Sequence, residues 1–334
     1  MSAIDFYKLS ADQKRDVFSE ITKLIPIPPS SIEKDWWVVQ TIAIVFRMSA
    51  APYLVFKGGT SLSKAWGIID RLSEDVDLAL SREFLGFPGN ISATQVTKLR
   101  DASFQYISGK FLCELRDLFH VSGFHDVEID LTEVESPDQD PVKIAIRYPF
   151  VTEQNSYVLP QVVLEIGSRS MLEPYSICEF SSFVGEKFAG QSFADDKISV
   201  PCVNPERTFL EKLFLLHEEF QRPPEKIRVK GLSRHLYDIF KIWHTEYARI
   251  ALNNPELYRS LVEHRKRFTK LSGVSYSSHF PPNLNPIPPA QFMAAWEADY
   301  KNMKQQMIFG EAWPFEDLIS GLESVVAEIN KLSI

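Results

Sequence analysis

The 334-residue sequence lacks any apolar run long enough to cross a membrane, which takes about 18 or more consecutive apolar residues. Its N-terminus also lacks the short apolar core of a signal peptide. Cysteine is scarce, because only Cys113, Cys178 and Cys202 occur, without the spacing of a metal-binding motif. These absences favour a protein of the reducing cytoplasm over one built on disulfides, and they predict no membrane partner.

Basic residues are also fewer than acidic ones: 36 Lys and Arg stand against 44 Asp and Glu, which gives a net charge of −8. The whole molecule therefore does not attract nucleic acid, although a local basic patch still can. One such patch contains a single acid, Glu225, among five basic residues: Arg222, Lys226, Arg228, Lys230 and Arg234. Such a patch can bind phosphate groups; a solvated helix surface is the alternative.

Hydrophobic periodicity predicts an α/β (α+β) protein with a mixed sheet. Apolar residues recur at helical spacing over 5–24, 31–49 and 94–120. Short apolar or alternating segments predict strands over 52–56, 75–80, 127–134, 142–150 and 157–168. We expect strand 142–150 to run antiparallel to its neighbours 127–134 and 157–168. After residue 200 the pattern is helical throughout, beginning at Asn204-Pro205. We therefore predict an α/β lobe over 1–200 and a helical lobe over 201–334.

Two glycines stand between a predicted strand and a predicted short helix. The sequence there, Gly58-Gly59-Thr60-Ser61, has neither the Walker A spacing nor the GxGxxG spacing. Glycines at such a point let the backbone approach a ligand closely, and the two hydroxyl residues add donors for phosphate. Alone, the segment is more often a structural turn.

Asp75 and Asp77 follow that turn closely. Two residues apart on a strand, they share a face with Cα atoms about 6–7 Å apart. Carboxylates are the ligands that magnesium prefers, and such a pair can hold two ions that stabilise attacking and leaving oxygens. An acidic, exposed strand face is the alternative. Glu165, on a later apolar strand, is a candidate third carboxylate, and a glutamate at the rim is an equally good interpretation.

Lys212 and Asp238 lie on two of the predicted helices after residue 200. A surface lysine explains the first as well as a catalytic role does. An ion pair within the helix, to Arg234 or Lys241, explains the second. The residue pattern alone favours no special role for either.

Three segments together resemble the AbiEii/AbiGii toxin family, which includes the MenT toxins. The first is KGGTSLSKAWGIIDRLSEDVDL from Lys57, in which Leu72 replaces the usual aromatic residue. The other two are NPERTFLEKLFLL, which aligns Lys212, and SRHLYDIF, which aligns Asp238. The resemblance covers about 55–240 and leaves 245–334 unmatched. It implies the DNA polymerase beta-type nucleotidyltransferase fold.

The resemblance implies a magnesium-dependent toxin that transfers a nucleotide from an NTP to RNA, with the tRNA 3′ end as the expected acceptor, and so blocks translation. The basic stretch 222–234 would then hold the RNA backbone. A cognate antitoxin and a role in phage defence or abortive infection are implied with it. Asp75 and Asp77 would hold one or two metal ions. Glu165 would join them; it is assigned from the expected fold and not from a motif. Lys212, Asp238 and Ser73 would be catalytic. The NTP would contact Lys57, Gly58, Gly59, Thr60, Ser61, Arg71 and Lys212.

Other functions stay open at this point. The acceptor could be a protein or a small molecule, with the same chemistry. A glycosyltransferase could use the Asp-x-Asp pair alone, although the glycine turn and the later helices argue against it. A non-catalytic RNA- or partner-binding protein would keep its biological effect without these side chains. The sequence does not choose the NTP, the acceptor or the way an antitoxin neutralises the toxin.

Overall fold

A computed structural model describes residues 4–73, 75–132, 134, 136, 139–153 and 159–334. The chain forms two compact units, one of residues 1–66 and 72–203 and the other of 67–71 and 204–334. The division after residue 203 lies close to the predicted boundary at 200. Segment 67–71 belongs to the second unit, which the sequence did not indicate. Residues 1–3, Glu74 of the first motif, and parts of two predicted strands (133, 157 and 158) lie outside the described residues.

The first unit combines helices with one sheet. Its helices are α1 (Ile4–Tyr7), α2 (Ala11–Leu24), α3 (Pro29–Val45), α4 (Gly58–Thr60), α5 (Ala93–Tyr106), α6 (Leu112–Val121) and α7 (Phe183–Lys187). A π-helical turn, Ser61–Ala65, follows α4. Ser10 and Ser92 begin α2 and α5 with capping boxes that satisfy orphan backbone donors. The predicted helix 94–120 is α5 and α6 joined by another π-helical turn, Ile107–Phe111.

Seven strands form the sheet of the described chain: β1 (Leu54–Lys57), β2 (Asp75–Leu80), β3 (Glu128–Leu131), β4 (Val142–Arg147), β5 (Gln161–Gly167), β6 (Tyr175–Phe180) and β7 (Ile198–Val203). Their order is β3-β4-β5-β2-β1-β7-β6. β2 runs parallel to β5, and β1 parallel to β7, while the other neighbours are antiparallel. The predicted α/β class with a mixed sheet is confirmed.

Alternation of side chains explains why β2 and β5 were predictable. Val76 and Leu78 are fully buried on one face of β2, as are Val162, Leu164 and Ile166 on β5. Strands β6 and β7 were missed. Pro201 lies inside β7, and proline is untypical of a strand interior because it cannot donate to the ladder.

The second unit is helical apart from one isolated β-bridge. It contains α8 (Pro205–Phe220), α9 (Arg234–Trp243), α10 (Glu246–Leu252), α11 (Pro255–Phe268), α12 (Met293–Gln306) and α13 (Phe315–Ile329). Prolines occupy the first positions of α8 and α11, where a missing N–H costs nothing. Among the described residues, no helix is both long and apolar enough to span a membrane.

A proline-rich loop between α11 and α12 is fixed to α8 by a buried histidine. His217 is 4% exposed, and its Nδ1 accepts a hydrogen bond of 2.9 Å from the Asn285 amide. Its Nε2 lies 3.0 Å from the Ser278 hydroxyl. Burial lowers the pKa of His217 to about 4, so the ring is neutral in the folded protein at neutral pH.

Acid should therefore weaken the fold through His217. Its folded pKa lies below its unfolded value of about 6.5, so the stability it supports is intact above that pH and lost as pH falls towards about 4. The loss should reach about 3 kcal/mol. Denaturant unfolding of wild type and His217→Gln from pH 7 to pH 4 measures it. His217→Gln should flatten the curve, whereas His125→Gln, an exposed control, should not; equal slopes for all three would contradict this.

Candidate active site

Gly58 is required because a carboxylate occupies the space that a side chain would need. It follows β1 with φ of +82°, a conformation that residues with a Cβ rarely adopt. A Cβ built there would lie 2.0 Å from Oδ2 of Asp77. The close approach predicted for the glycine turn is therefore made by the protein's own Asp77 carboxylate.

A row of charged residues crosses four neighbouring strands at the same level. In register, Lys57 of β1 faces Asp77 of β2, Asp77 faces Glu165 of β5, and Glu165 faces Lys143 of β4. Nζ of Lys57 lies 3.8 Å from Oδ1 of Asp77, and Lys143 donates to the Glu165 carboxylate. Two carboxylates are thus flanked by two ammonium groups. We call these four residues the charge row.

Lys143 is the member of the charge row that the sequence did not indicate. Burial disfavours its charge, but the hydrogen bond and charge of Glu165 outweigh burial, helped by the charges of Asp75 and Asp77. The pKa of Lys143 is therefore raised, and its ammonium group stays protonated beside three carboxylates. In the sequence, Lys143 looks like any outward-facing strand lysine, because only strand register places it next to Glu165.

The predicted hydroxyl donors point into the protein. Thr60 and Ser61 are each 2% exposed. The Thr60 hydroxyl donates to the backbone carbonyl of Asp75, which ties the glycine turn to the start of β2. Ser61 hydrogen-bonds to the buried thiol of Cys202. Their use in phosphate binding remains a prediction, as does the role of Ser73, which is half-buried in the segment before β2.

The helix-like turn after Gly58 is anchored by a buried ion pair. Lys64 lies at the end of that turn, and its Nζ is 2.9 Å from Oδ1 of Asp35 on α3. Both side chains are 7% exposed. The Lys64 ammonium also lies over the Phe183 ring, 4.2 Å from its centroid. The pair gives the buried Asp35 carboxylate of α3 a cationic partner.

Three carboxylates of this unit are the candidate ligands of a magnesium ion. Asp75 and Asp77 alternate with the buried Val76, so both lie on the opposite face of β2, with Glu165 beside Asp77. The donor set consists of oxygen alone, as magnesium prefers. Within the described part of the chain, no three His, Cys, Asp or Glu side chains are gathered into a metal-binding group. The metal assignments of these three carboxylates remain predictions.

In the helical unit, Arg71, Lys212 and Asp238 meet in one buried cluster, although they come from three separate motifs. Nε and Nη2 of Arg71 donate to the two Asp238 oxygens over 2.7 and 2.8 Å. Nζ of Lys212 lies 2.8 Å from Oδ2 of the same carboxylate. Asp238 is 0% exposed. We call this arrangement the buried cluster; Lys241, the intrahelical alternative, pairs with Asp70 instead.

The buried cluster carries a net positive charge. Burial opposes ionisation of Asp238, but the charges of Arg71 and Lys212 outweigh it and hold the pKa of Asp238 well below its usual range. Burial lowers the pKa of Lys212, and Asp238 partly offsets this. His235 Nδ1 lies 3.3 Å from the Lys212 ammonium, and burial keeps its pKa low, so its ring is neutral. With Asp238 and Lys212 ionised, two cations share one anion.

Residues outside the three motifs hold Arg71 in this position. Arg71 forms an isolated antiparallel bridge with Ile308, and the Asp70 carbonyl accepts a hydrogen bond of 3.0 Å from the Phe309 amide. A Cβ at Gly310 would lie 2.3 Å from the Asp70 Cβ, so the chains pack against each other without space for a side chain. Nζ of Lys241 adds an ion pair of 2.7 Å to Asp70.

The five basic residues of the predicted RNA-binding stretch differ in their contacts: some pair with a buried carboxylate and others are exposed. Arg222 and Arg228 pair with the buried Glu219 over 3.1 and 2.7 Å. Lys226 and Lys230 are exposed. Arg234 begins α9, where its charge lowers the pKa of Lys212. Contact with RNA remains a prediction for all five residues.

The sheet with its carboxylates and the helices with their buried cations are the parts expected of a nucleotidyltransferase. The family described as "Nucleotidyl transferase AbiEii toxin, Type IV TA system" matches residues 44–320. The chain belongs to this family and is a nucleotidyltransferase. The match extends beyond the three motifs through 245–320, including Ile308 and Gly310, for which the sequence analysis found no counterpart.

Solved structures add a fold comparison. A structure titled "Crystal structure of putative nucleotidyltransferase from H. pylori" has 14% sequence identity and covers 87% of this chain and 92% of that chain. The TM-score is 0.42. No curated protein matches the chain.

Replacing Gly58 should cost more than the backbone conformation alone explains. Gly58→Ala must displace Asp77, whereas Gly86→Ala, at φ of +86° with open space around it, is the matched control. The control should lose about 1 kcal/mol of unfolding free energy. Gly58→Ala should lose at least about 1 kcal/mol more, because the added methyl group overpacks the turn. Denaturant titration measures both, and equal losses would show that the Asp77 contact is unimportant.

Removing the charge of Asp238 should be far more damaging than removing that of Asp70, which is 40% exposed in its lysine pair. Asp238→Asn leaves two buried cations uncompensated, a loss of about 3–5 kcal/mol in unfolding free energy. Asp70→Asn should lose under about 1 kcal/mol.

The Asp238 effect also has a defined pH dependence. Its folded pKa is depressed, so the contribution is complete above the ordinary value of about 3.9 and is lost only in stronger acid. The difference between wild type and Asp238→Asn should be constant from pH 7 to about pH 5. A difference that already shrinks between these values would contradict an ionised Asp238.

Proposed function

We propose that this enzyme transfers a nucleotide from an NTP to an RNA acceptor, the 3′ end of tRNA, in a magnesium-dependent reaction that blocks translation. The observation that carries the proposal is the Asp75–Asp77 pair on one face of β2, with Asp77 held against Gly58, in a chain of a nucleotidyltransferase toxin family.

The first unit would bind the metal and part of the triphosphate. Asp75 and Asp77 would hold magnesium, and Glu165 would join them. Bound magnesium would supply positive charge to the reacting phosphate and its leaving group. The backbone amides at Gly58–Thr60 would donate to phosphate oxygens, since the side chains of Thr60 and Ser61 are engaged inside the protein.

The helical unit would contribute fixed positive charge. Asp238 holds Arg71 and Lys212 in place through direct hydrogen bonds, so neither cation has to reorganise during the reaction. Lys212 would offset charge on the nucleotide as a point cation, and Arg71 would offer its planar group. Asp238 would act by positioning these two side chains.

An RNA acceptor is supported by charge on the surface of the helical unit. Lys226 and Lys230 project into solvent, and Arg228 is largely exposed although it pairs with Glu219. Such groups bind the phosphate backbone without reading sequence, which suits an enzyme that modifies many tRNAs. As a toxin of a type IV toxin–antitoxin family, the enzyme would act in the cytoplasm, be neutralised by a cognate antitoxin and serve in phage defence or abortive infection.

Label transfer tests the proposal directly. The full chain is incubated with each α-labelled NTP in turn and total tRNA, with magnesium or with chelator. Label should appear in tRNA only with magnesium. Asp75→Asn should reduce transfer by at least about a thousandfold, since the group that holds the metal is lost. Lys212→Met should reduce it by at least about a hundredfold.

The control is Asp130→Asn, which removes an exposed carboxylate from the edge strand β3 and should transfer label at the wild-type rate. Full labelling by Asp75→Asn would overturn the assignment of the site. Label that enters an added protein or an aminoglycoside, and not tRNA, would replace the proposed acceptor with that substrate.

A further inference from the structure

The charge row gives Glu165 a partner before any metal arrives. Lys143 faces Glu165 directly across β4 and β5 and donates to its carboxylate. The Glu165 side chain is 20% exposed and that of Lys143 is 43% exposed, so solvent can reach the pair. The ammonium group can therefore leave the carboxylate without unfolding the strands, because five other residue pairs keep β4 and β5 in register.

A metal at Asp75 and Asp77 would compete with Lys143 for the same carboxylate. Asp77 and Glu165 are paired in register on parallel strands, so a cation held by Asp77 would lie close to Glu165. The Lys143 ammonium group interacts electrostatically with Asp75 and Asp77 as well as with Glu165. A divalent ion and a lysine ammonium group repel each other at such separations.

We propose that Lys143 is an internal counter-cation that holds Glu165 in the metal-free protein and must release it when a divalent ion binds. The inference rests on the proposed function, since it assigns the metal to the same carboxylates. Lys143 thereby keeps three neighbouring carboxylates compatible with folding before metal binds. It also sets the metal affinity below the value that the carboxylates alone would give.

Metal binding without nucleotide or RNA tests this inference. The probe is Mn²⁺ alone, titrated into the full chain and followed by electron paramagnetic resonance of the free ion, with Mg²⁺ as competitor. Lys143→Met keeps the length of the side chain and removes its charge. It should bind Mn²⁺ on the order of threefold to tenfold more tightly than wild type. Lys143→Arg restores a cation and should return the affinity to within about twofold of wild type.

Two further variants separate release of Glu165 from a general charge effect. In a Glu165→Gln background, the carboxylate for which Lys143 competes is gone, so adding Lys143→Met should change Mn²⁺ affinity by a smaller factor than it does in the wild-type background. Lys331→Met removes a lysine from an exposed pair with Glu328 on α13 and should leave the affinity unchanged. Thermal unfolding without metal checks that each variant is folded.

Unchanged or weaker Mn²⁺ binding by folded Lys143→Met would overturn the inference, as would wild type that binds no Mn²⁺ at millimolar concentration. A full effect of Lys143→Met in the Glu165→Gln background would also overturn it, because Lys143 would then act on the metal without Glu165. Magnesium-dependent label transfer with no Lys143 effect on Mn²⁺ would reject this inference alone. The Lys143 effect without any label transfer would reject the proposed function alone.

Discussion

The carboxylate of Asp238 is the point on which the helical unit depends. It is fully buried, and its two oxygens accept hydrogen bonds from Arg71 and an ion pair from Lys212. Because a buried charge without a partner is very unfavourable, these three residues stabilise each other only when all are in place. The short segment 67–71 and helices α8 and α9 are joined at this carboxylate. The chain from 308 to 310 then fixes the segment from its other side.

In the sheet unit, the charges that must be compensated are carboxylates on neighbouring strands. Asp77 and Glu165 face each other in register on neighbouring strands, and like charges directly opposite each other destabilise a sheet. Lys57 and Lys143 stand at the two ends of the charge row and supply the compensation. The same arrangement leaves the carboxylates accessible, since Asp77 and Glu165 are 27% and 20% exposed. The same four residues therefore compensate each other's charges and leave two carboxylates accessible to solvent.

Residues outside the three motifs hold the segments of the helical unit in position. Ile308, Phe309 and Gly310 hold the segment that carries Arg71. The proline-rich loop is fixed to α8 by His217, and Arg265 turns inward to pair with the buried Glu218. Arg265 lies in the basic run His264-Arg265-Lys266-Arg267, which looks like solvated helix surface in the sequence but supplies an internal cation. Support of this kind leaves no short motif, because it depends on shape and pairing at long sequence separation.

The sequence by itself determined the α/β class, the alternation that places Asp75 and Asp77 on one face of β2, and the family whose motifs contain Lys212 and Asp238. Local periodicity and motif spacing encode all of these. Only the tertiary structure decided what these side chains contact. Asp77 lies against Gly58, Arg71 and Lys212 share Asp238, and Lys143 holds Glu165. Each contact joins residues 19 or more positions apart in the printed sequence, where strand register and helix packing, not local preference, set the partner.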